Sequence, residues 1–206
     1  MDALPSADAS ESATNRGREA KARIIATAAE LMYERGVAAT SVDDIVAAAG
    51  AGKSQFYHYF SSKTDLVAAV LRHQLARVLD DQSRFDIATW DGIQGWLTSL
   101  VMQQAARGFS GGCPLGSIVA EVVNRDERLQ TVAAEAFSLW EKELATGLRA
   151  LQETGRLHAD ADPAALAEEA LASIQGGYLL TMSKREARPM RNAITAAFAR
   201  LRSFAI

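Results

Sequence analysis

Apolar positions along the chain recur at helical spacing from Arg18 onward. Ile24, Ala28, Leu31 and Met32 form one stripe that stops at Gly36, a residue suited to a helix C-terminus. Thr40 to Asp43 and Ser41 to Asp44 both have capping-box spacing, which predicts a second helix from about Val42 that ends by Gly50. A third runs from just after Gly52 to near Phe60. Ser61, Ser62 and Lys63 then lead into a longer helix, through Asp65, Leu66, Val70 and Leu71, toward Arg84. Further helices are expected at 90–108, 114–124, 127–154, 163–183 and 189–204. The start at Asp162 and Pro163 is well marked, because it joins an N-cap to a proline in the first helical position, and Arg188 and Pro189 begin the last helix similarly. Residues 1–15, MDALPSADASESATN, are small and polar with no apolar period, and are expected to form a disordered tail. No strand, hairpin or internal repeat stands out. The pattern predicts an all-α chain of about nine helices, three short ones in an N-terminal head followed by a C-terminal helical body.

Composition agrees. Of 206 residues 40 are alanine and only four are proline, a bias toward helix. The single cysteine, Cys113, excludes an internal disulfide or a cysteine-rich zinc module and fits a reducing compartment. No run approaches the length of a membrane span, and the N-terminus lacks a signal-peptide pattern, so the expected location is the cytoplasm. The net charge of −3 is unevenly spread. Residues 1–14 carry Asp2, Asp8 and Glu11 and no base, whereas from Asn15 to Leu75 eight bases face six acids, which leaves the head slightly basic.

The stretch TSVDDIVAAAGAGKSQFYHYFSSKTDL, Thr40 to Leu66, carries the most specific chemistry. Two short helices about a glycine turn form a helix-turn-helix unit, whose second helix lies in the major groove of DNA. Ile45, Ala49 and Phe56 would pack the two helices together. Lys53, Ser54, Gln55, Tyr57 and His58 project from the other face, with donors and acceptors for phosphates and base edges. Lys63, and Thr40 or Ser41, stand at helix starts that can add amides to a phosphate contact. Tyr57 and Phe60 as core residues, His58 as a solvated surface group and Lys53 as an ordinary helix-start charge are the plainer readings. Gly52, Lys53 and Ser54 also end like a phosphate-binding P-loop, but Ala47 occupies the required glycine position and the preceding element is helix, not strand.

With Thr40, Ile45, Ala49, Gly50, Tyr57, Phe60, Lys63 and Leu66 all in register, the stretch resembles the DNA-binding domain of the TetR family of bacterial transcriptional repressors. The likeness covers Arg18 to Leu71. Val46, Ala51, Gly52 and Gln55 depart from the family pattern. Gly52 removes a hydroxyl cap from the recognition helix, and Gln55 is the first candidate for base readout, since glutamine can pair with adenine through two hydrogen bonds. The resemblance implies a tail at 1–15, a DNA-binding domain at 16–62 and a ligand-binding and dimerisation domain at 63–206. It further implies a homodimer through the last two helices, bound to a palindromic double-stranded operator. Lys53, Tyr57, Lys63 and an arm around Arg16 and Arg18 would hold phosphates while Ser54, Gln55 and His58 read bases.

In the body, the resemblance implies a small-molecule cavity, with Trp96, Met102, Phe109, Cys113, Glu121, Phe137, Trp140, Tyr178 and Met182 as candidate lining residues, although large apolar side chains are most often core. Gly111, Gly112 and Pro114 put Cys113 at a helix N-terminus, where amides and dipole lower a thiol pKa. That opens an alternative, a repressor switched by oxidants or electrophiles at Cys113; a buried, inert packing residue is the plainer one. His58, His73 and His158 lie far apart and no HExxH or GxSxG motif appears, so neither catalysis nor a bound metal or cofactor is expected. Taken together, the resemblance implies a ligand-responsive DNA-binding repressor, released from a palindromic operator by a small hydrophobic molecule. A distant alternative is a helical small-molecule-binding protein with a degenerate head.

Overall fold

A computed structural model describes residues 7–206, with side chains from Asn15 onward. Among these residues there are nine helices: α1 (Ala7–Arg35), α2 (Val42–Ala48), α3 (Lys53–Tyr59), α4 (Lys63–Ser83), α5 (Trp90–Ala106), α6 (Pro114–Val122), α7 (Glu127–Glu153), α8 (Pro163–Lys184) and α9 (Arg188–Arg202). The only β pairing among them is an isolated bridge between Leu157 and Ala205. The expected boundaries hold to within two residues except at the first helix. Residues 7–15, placed by sequence in an unstructured tail, continue α1 toward the N-terminus. The rest of the expected tail, residues 1–6, lies outside the described residues.

The chain divides into a unit that ends at His73 and a second from Gln74 to Ile206. The division falls inside α4, not at Lys63 where the sequence reading ends the head, because the buried Leu66, Val67, Val70 and Leu71 of its first turns belong to the head. In the head, α1, α2 and α3 touch pairwise around buried Ile24, Ala28, Met32, Ile45, Ala49, Phe56 and Phe60.

In the second unit, side-chain caps mark three starts. Thr89 accepts from the Gly92 N–H, Asp126 from Leu129 and Asp162 from both Ala164 and Ala165, each satisfying amides that a helix leaves unpaired. Ile93, Trp96, Leu97, Leu115, Ile118, Trp140, Leu144 and Ile174 form the core. The Trp140 indole donates to Gln82 Oε1 at 2.9 Å, which ties α7 to α4 through a buried polar pair. The most extensive helix packing among the described residues is that of α8 against α9. A Cβ on Gly177 would stand 2.8 Å from both Ala193 Cβ and Met190 Sδ, so only glycine allows this approach.

Candidate nucleic-acid interface and effector cavity

The turn between α2 and α3 is built by Gly50 at φ +61, a left-handed conformation that costs glycine little. Ala51 N–H bonds back to Val46 O at 2.9 Å, and Arg23 of α1 donates to Ala49 O at 2.9 Å, fixing the turn from outside. The α2 start carries the expected capping box: Ser41 Oγ accepts from Asp44 N–H while the Asp44 carboxylate accepts from the Ser41 backbone. The Ser41 hydroxyl also donates to the Asp44 carboxylate at 2.5 Å, and this bond, with that from the Ser41 backbone N–H, holds the Asp44 carboxyl below its ordinary pKa. Gly52 caps α3 without a side-chain bond.

This frame presents Lys53, Ser54, Tyr57 and His58 exposed on one side of α3, with Gln55 half-buried and Phe56 fully buried behind them. Tyr57 is 59% exposed, although its ring meets the edge of Phe56 at 5.1 Å, so the core reading does not describe it; Phe60, at 4%, is core. Lys53 pairs with Asp43 of α2 at 2.8 Å, both side chains being largely exposed, and that carboxylate pushes the lysine pKa up. Arg16 and Arg18 are exposed on α1, and Arg18 donates to Asn15.

Two expected contacts sit differently. Thr40 is buried, and its hydroxyl donates to Gly36 O at 2.8 Å and Leu31 O at 3.3 Å. It therefore staples the loop before α2 and offers no outward hydroxyl. Lys63 is half-buried with its ammonium donating to Val37 O at 2.6 Å, which also ties the start of α4 to that loop.

In the second unit, α4, α5, α7 and α8 enclose a cavity of about 30 Å³, walled by Gln74, Val78, Trp96, Leu100, Trp140 and Tyr178 with Arg77, Asp81, Gln103, Arg107 and Pro114 around them. That is room for a water or two. Of the residues proposed from sequence for a ligand site, Trp96, Trp140 and Tyr178 meet here. Met102 is 66% exposed, because it lies off the buried stripe of α5 formed by Ile93, Trp96, Leu97, Leu100, Val101 and Gln104. Phe137, half-buried, stacks on the Trp140 ring at 6.3 Å. Phe109, Glu121 and Met182 are half-buried and outside the cavity wall. Sequence reasoning passed over Gln74, Arg77 and Asp81. The signal for Gln74 was there: it falls on the apolar stripe of Val70, Leu71, Leu75 and Val78.

Cys113 is the N-cap of α6, as expected, but at 3% exposure it does not line the cavity. Burial pushes its thiol pKa up from 9.0, outweighing bonds from the Gly116 amide and the Gln175 side chain that pull it down. The helix terminus loses to desolvation here, so the acidified thiol of the sensor reading is not the one the fold builds.

Sequence comparisons point the same way as the geometry. A family model described as "Bacterial regulatory proteins, tetR family" matches residues 24–70, and one described as "Tetracyclin repressor-like, C-terminal domain" matches 93–197. An uncharacterized HTH-type transcriptional regulator in the lacX 3' region of Lactococcus lactis subsp. lactis is 34% identical over 172 residues, which is 79% of this chain and 83% of that protein. The transcriptional regulator AcuR of Cereibacter sphaeroides is 31% identical over 176 residues, 81% of this chain and 77% of that one. Among solved structures, a regulatory protein TetR from Rhodobacter sphaeroides superposes with a TM-score of 0.77 at 25% identity, covering 91% of this chain and 99% of that chain.

Proposed function

The chain belongs to the TetR family of bacterial regulatory proteins and is a DNA-binding transcriptional regulator, and from that premise we propose that it is a repressor released from a palindromic operator by a small hydrophobic molecule. One observation carries the ligand-responsive part. The same helix, α4, contributes buried Leu66, Val70 and Leu71 to the head unit and the Gln74, Val78 and Asp81 face to the cavity wall. The cavity, at about 30 Å³, is far below the roughly 300 Å³ or more of an ordinary ligand site. An occupant must therefore displace a wall, and a displaced α4 moves residues that the head is packed on. The ligand acts as a population shift, provided that it binds the released geometry better than the DNA-bound one.

Lys53, Tyr57, Lys63 and the Arg16–Arg18 arm serve phosphates, and Ser54, Gln55 and His58 serve base edges. Dimerisation uses α8 and α9. In support, α8 buries Leu166, Leu171, Ile174 and Tyr178 on one side yet leaves Leu179 and Leu180 at 61% and 49% exposure on the other, and a helix apolar on both faces is suited to cover from both. A two-fold pair then sets two recognition helices about one DNA turn apart. No helix among the described residues is long and apolar enough to cross a membrane, and we place the regulator in the cytoplasm. The buried Cys113 thiol weighs against covalent modification as the signal.

The test is a mobility-shift titration against the DNA flanking the gene. Submicromolar binding that weakens steeply with salt is expected. Absence of salt-sensitive binding at every accessible concentration would leave the helical small-molecule-binding reading instead.

A further inference from the structure

Gln74 is 2% exposed on α4, and its side-chain carbonyl Oε1 is buried without a hydrogen-bond partner. A buried acceptor with no partner within the protein is costly unless something in the cavity donates to it, and native proteins keep few of them. Gln74 is one of the residues that line the cavity of the second unit. The indole donor of the neighbouring Trp140 is already committed to Gln82 Oε1 at 2.9 Å, so it does not serve Gln74. What completes the Gln74 carbonyl must bring its own O–H or N–H.

The rest of the wall narrows the class. Trp96 and Trp140, each 1% exposed, together with Val78 and Leu100, offer flat apolar surface. Two guanidinium groups, Arg77 and Arg107, and one carboxylate, Asp81, border the cavity. Asp81 is paired with Arg84 at 3.2 Å, while Arg77 has no carboxylate within 4.0 Å among the described residues. A cationic ligand would meet the Arg77 guanidinium there, and a pure acceptor such as an ether would leave Gln74 Oε1 unpaired.

We propose that Gln74 is the polar anchor of the effector site, and that the effector is a flat, mainly apolar molecule without positive charge whose hydroxyl or N–H donates to Gln74 Oε1, phenols being the simplest members of the class. The proposal rests on the regulator reading and adds the chemistry that α4 detects. A phenol is larger than the space present, so its ring parts α4 from α5 and α7 while its hydroxyl holds on to α4. Because the anchor is on the helix that continues into the head, the bond and the displacement act on the same element.

The test is a fluorine-19 NMR titration of the full chain with 4-fluorophenol, 4-fluoroanisole and 4-fluorobenzylammonium, which share a ring and differ at the polar group. The phenol is expected to bind about tenfold more tightly than the anisole, with the ammonium weakest. Gln74→Leu, and Gln74→Met as a second variant of similar shape, should bring the phenol down to the anisole's affinity while leaving the anisole itself nearly unchanged. Both variants should also melt above the parent in the absence of probe, since each removes a buried unpaired acceptor. Equal affinities in the parent chain, no binding of any probe, or a phenol preference that survives both substitutions would overturn the proposal. Operator binding by the same samples separates the two readings: DNA binding without phenol preference sinks the anchor alone, and loss of DNA binding in the parent chain sinks the regulator reading.

Discussion

Cys113 shows two opposing effects at one atom. Its position at the N-cap of α6 supplies the amides and dipole that favour a thiolate, and Gly116 N–H and Gln175 do bond to the sulfur. Burial outweighs them and pushes the thiol above its ordinary 9.0. The sign follows for stability. A folded pKa above the unfolded one means that the folded state holds its proton more tightly, so this contribution is complete below about pH 9 and is lost as pH rises through the folded value. Alkylation of the native chain by iodoacetamide at pH 7.5 should therefore run at least about tenfold slower than in urea, as expected for a thiol that is both inaccessible and protonated. The native rate should climb only above pH 9. A native rate equal to the unfolded one at pH 7.5 would restore Cys113 as a reactive sensor. The same competition explains why the sequence misleads at this residue: helix-start position is written in the Gly-Gly-Cys-Pro string, whereas burial depends on α8, which comes some 50 residues later and supplies Gln175.

At the level of elements, α8 and α9 show what glycine does in a helix interior. Gly176 and Gly177 are neighbours in sequence but face different surroundings: a Cβ at 177 would press on Ala193 and Met190, while one at 176 meets nothing within 4 Å. Gly177→Ala should therefore force α8 off α9 at a cost of about 1–3 kcal/mol. Gly176→Ala has no clash within the protomer and should raise its stability by up to about 1 kcal/mol through helix propensity alone. If α8 meets α8 of a second copy, as proposed, bulk at 176 acts on the dimer instead. Thermal melting at low chain concentration, with sedimentation equilibrium of Gly176→Leu, reads both effects. A Gly177→Ala chain as stable as the parent, or a Gly176→Leu chain that dimerises normally, contradicts the respective half.

Such local signals account for the parts of the fold that the sequence announced. The capping box at Ser41, the glycine turn at Gly50, the Asp162-Pro163 start and the stripe through Ile24, Ala28 and Met32 are each decided within a few residues. Partners across the fold are not. Thr40 reads as an outward helix-start hydroxyl, but it is buried and donates to Gly36 O and Leu31 O. Gln82 is likewise buried by a distant partner, the Trp140 indole that donates to its Oε1. For Met102 the local period is enough, since the residue falls off the α5 stripe of Ile93, Trp96, Leu97, Leu100 and Val101.

For the whole molecule the acidic total of −3 is a poor guide to DNA, because binding depends on which charges reach phosphates. On the recognition helix Lys53 is already paired with Asp43 at 2.8 Å. That pair is exposed, so water and salt screen it and it exchanges readily for a phosphate. With Lys53 on a phosphate, as proposed, Asp43 would compete with DNA for it and would also repel the backbone. Replacing Lys53 with alanine should remove one phosphate contact per half-site. The slope of log K against log salt would become shallower by about 0.9 for each contact, or about 2 for a dimer, with affinity falling to a similar degree on all sequences. Asp43→Asn should act in the opposite sense, raising affinity for specific and nonspecific DNA alike while leaving the ranking of base substitutions in the operator unchanged. Gln55→Ala provides the contrast, since a base-reading residue alters that ranking and leaves the salt slope intact. Fluorescence anisotropy across a salt series, on the operator and on single-base variants, distinguishes the three. A salt slope unchanged by Lys53→Ala would remove Lys53 from the phosphate contacts, and an Asp43→Asn chain that binds more weakly would mean that the carboxylate positions the lysine instead of competing for it.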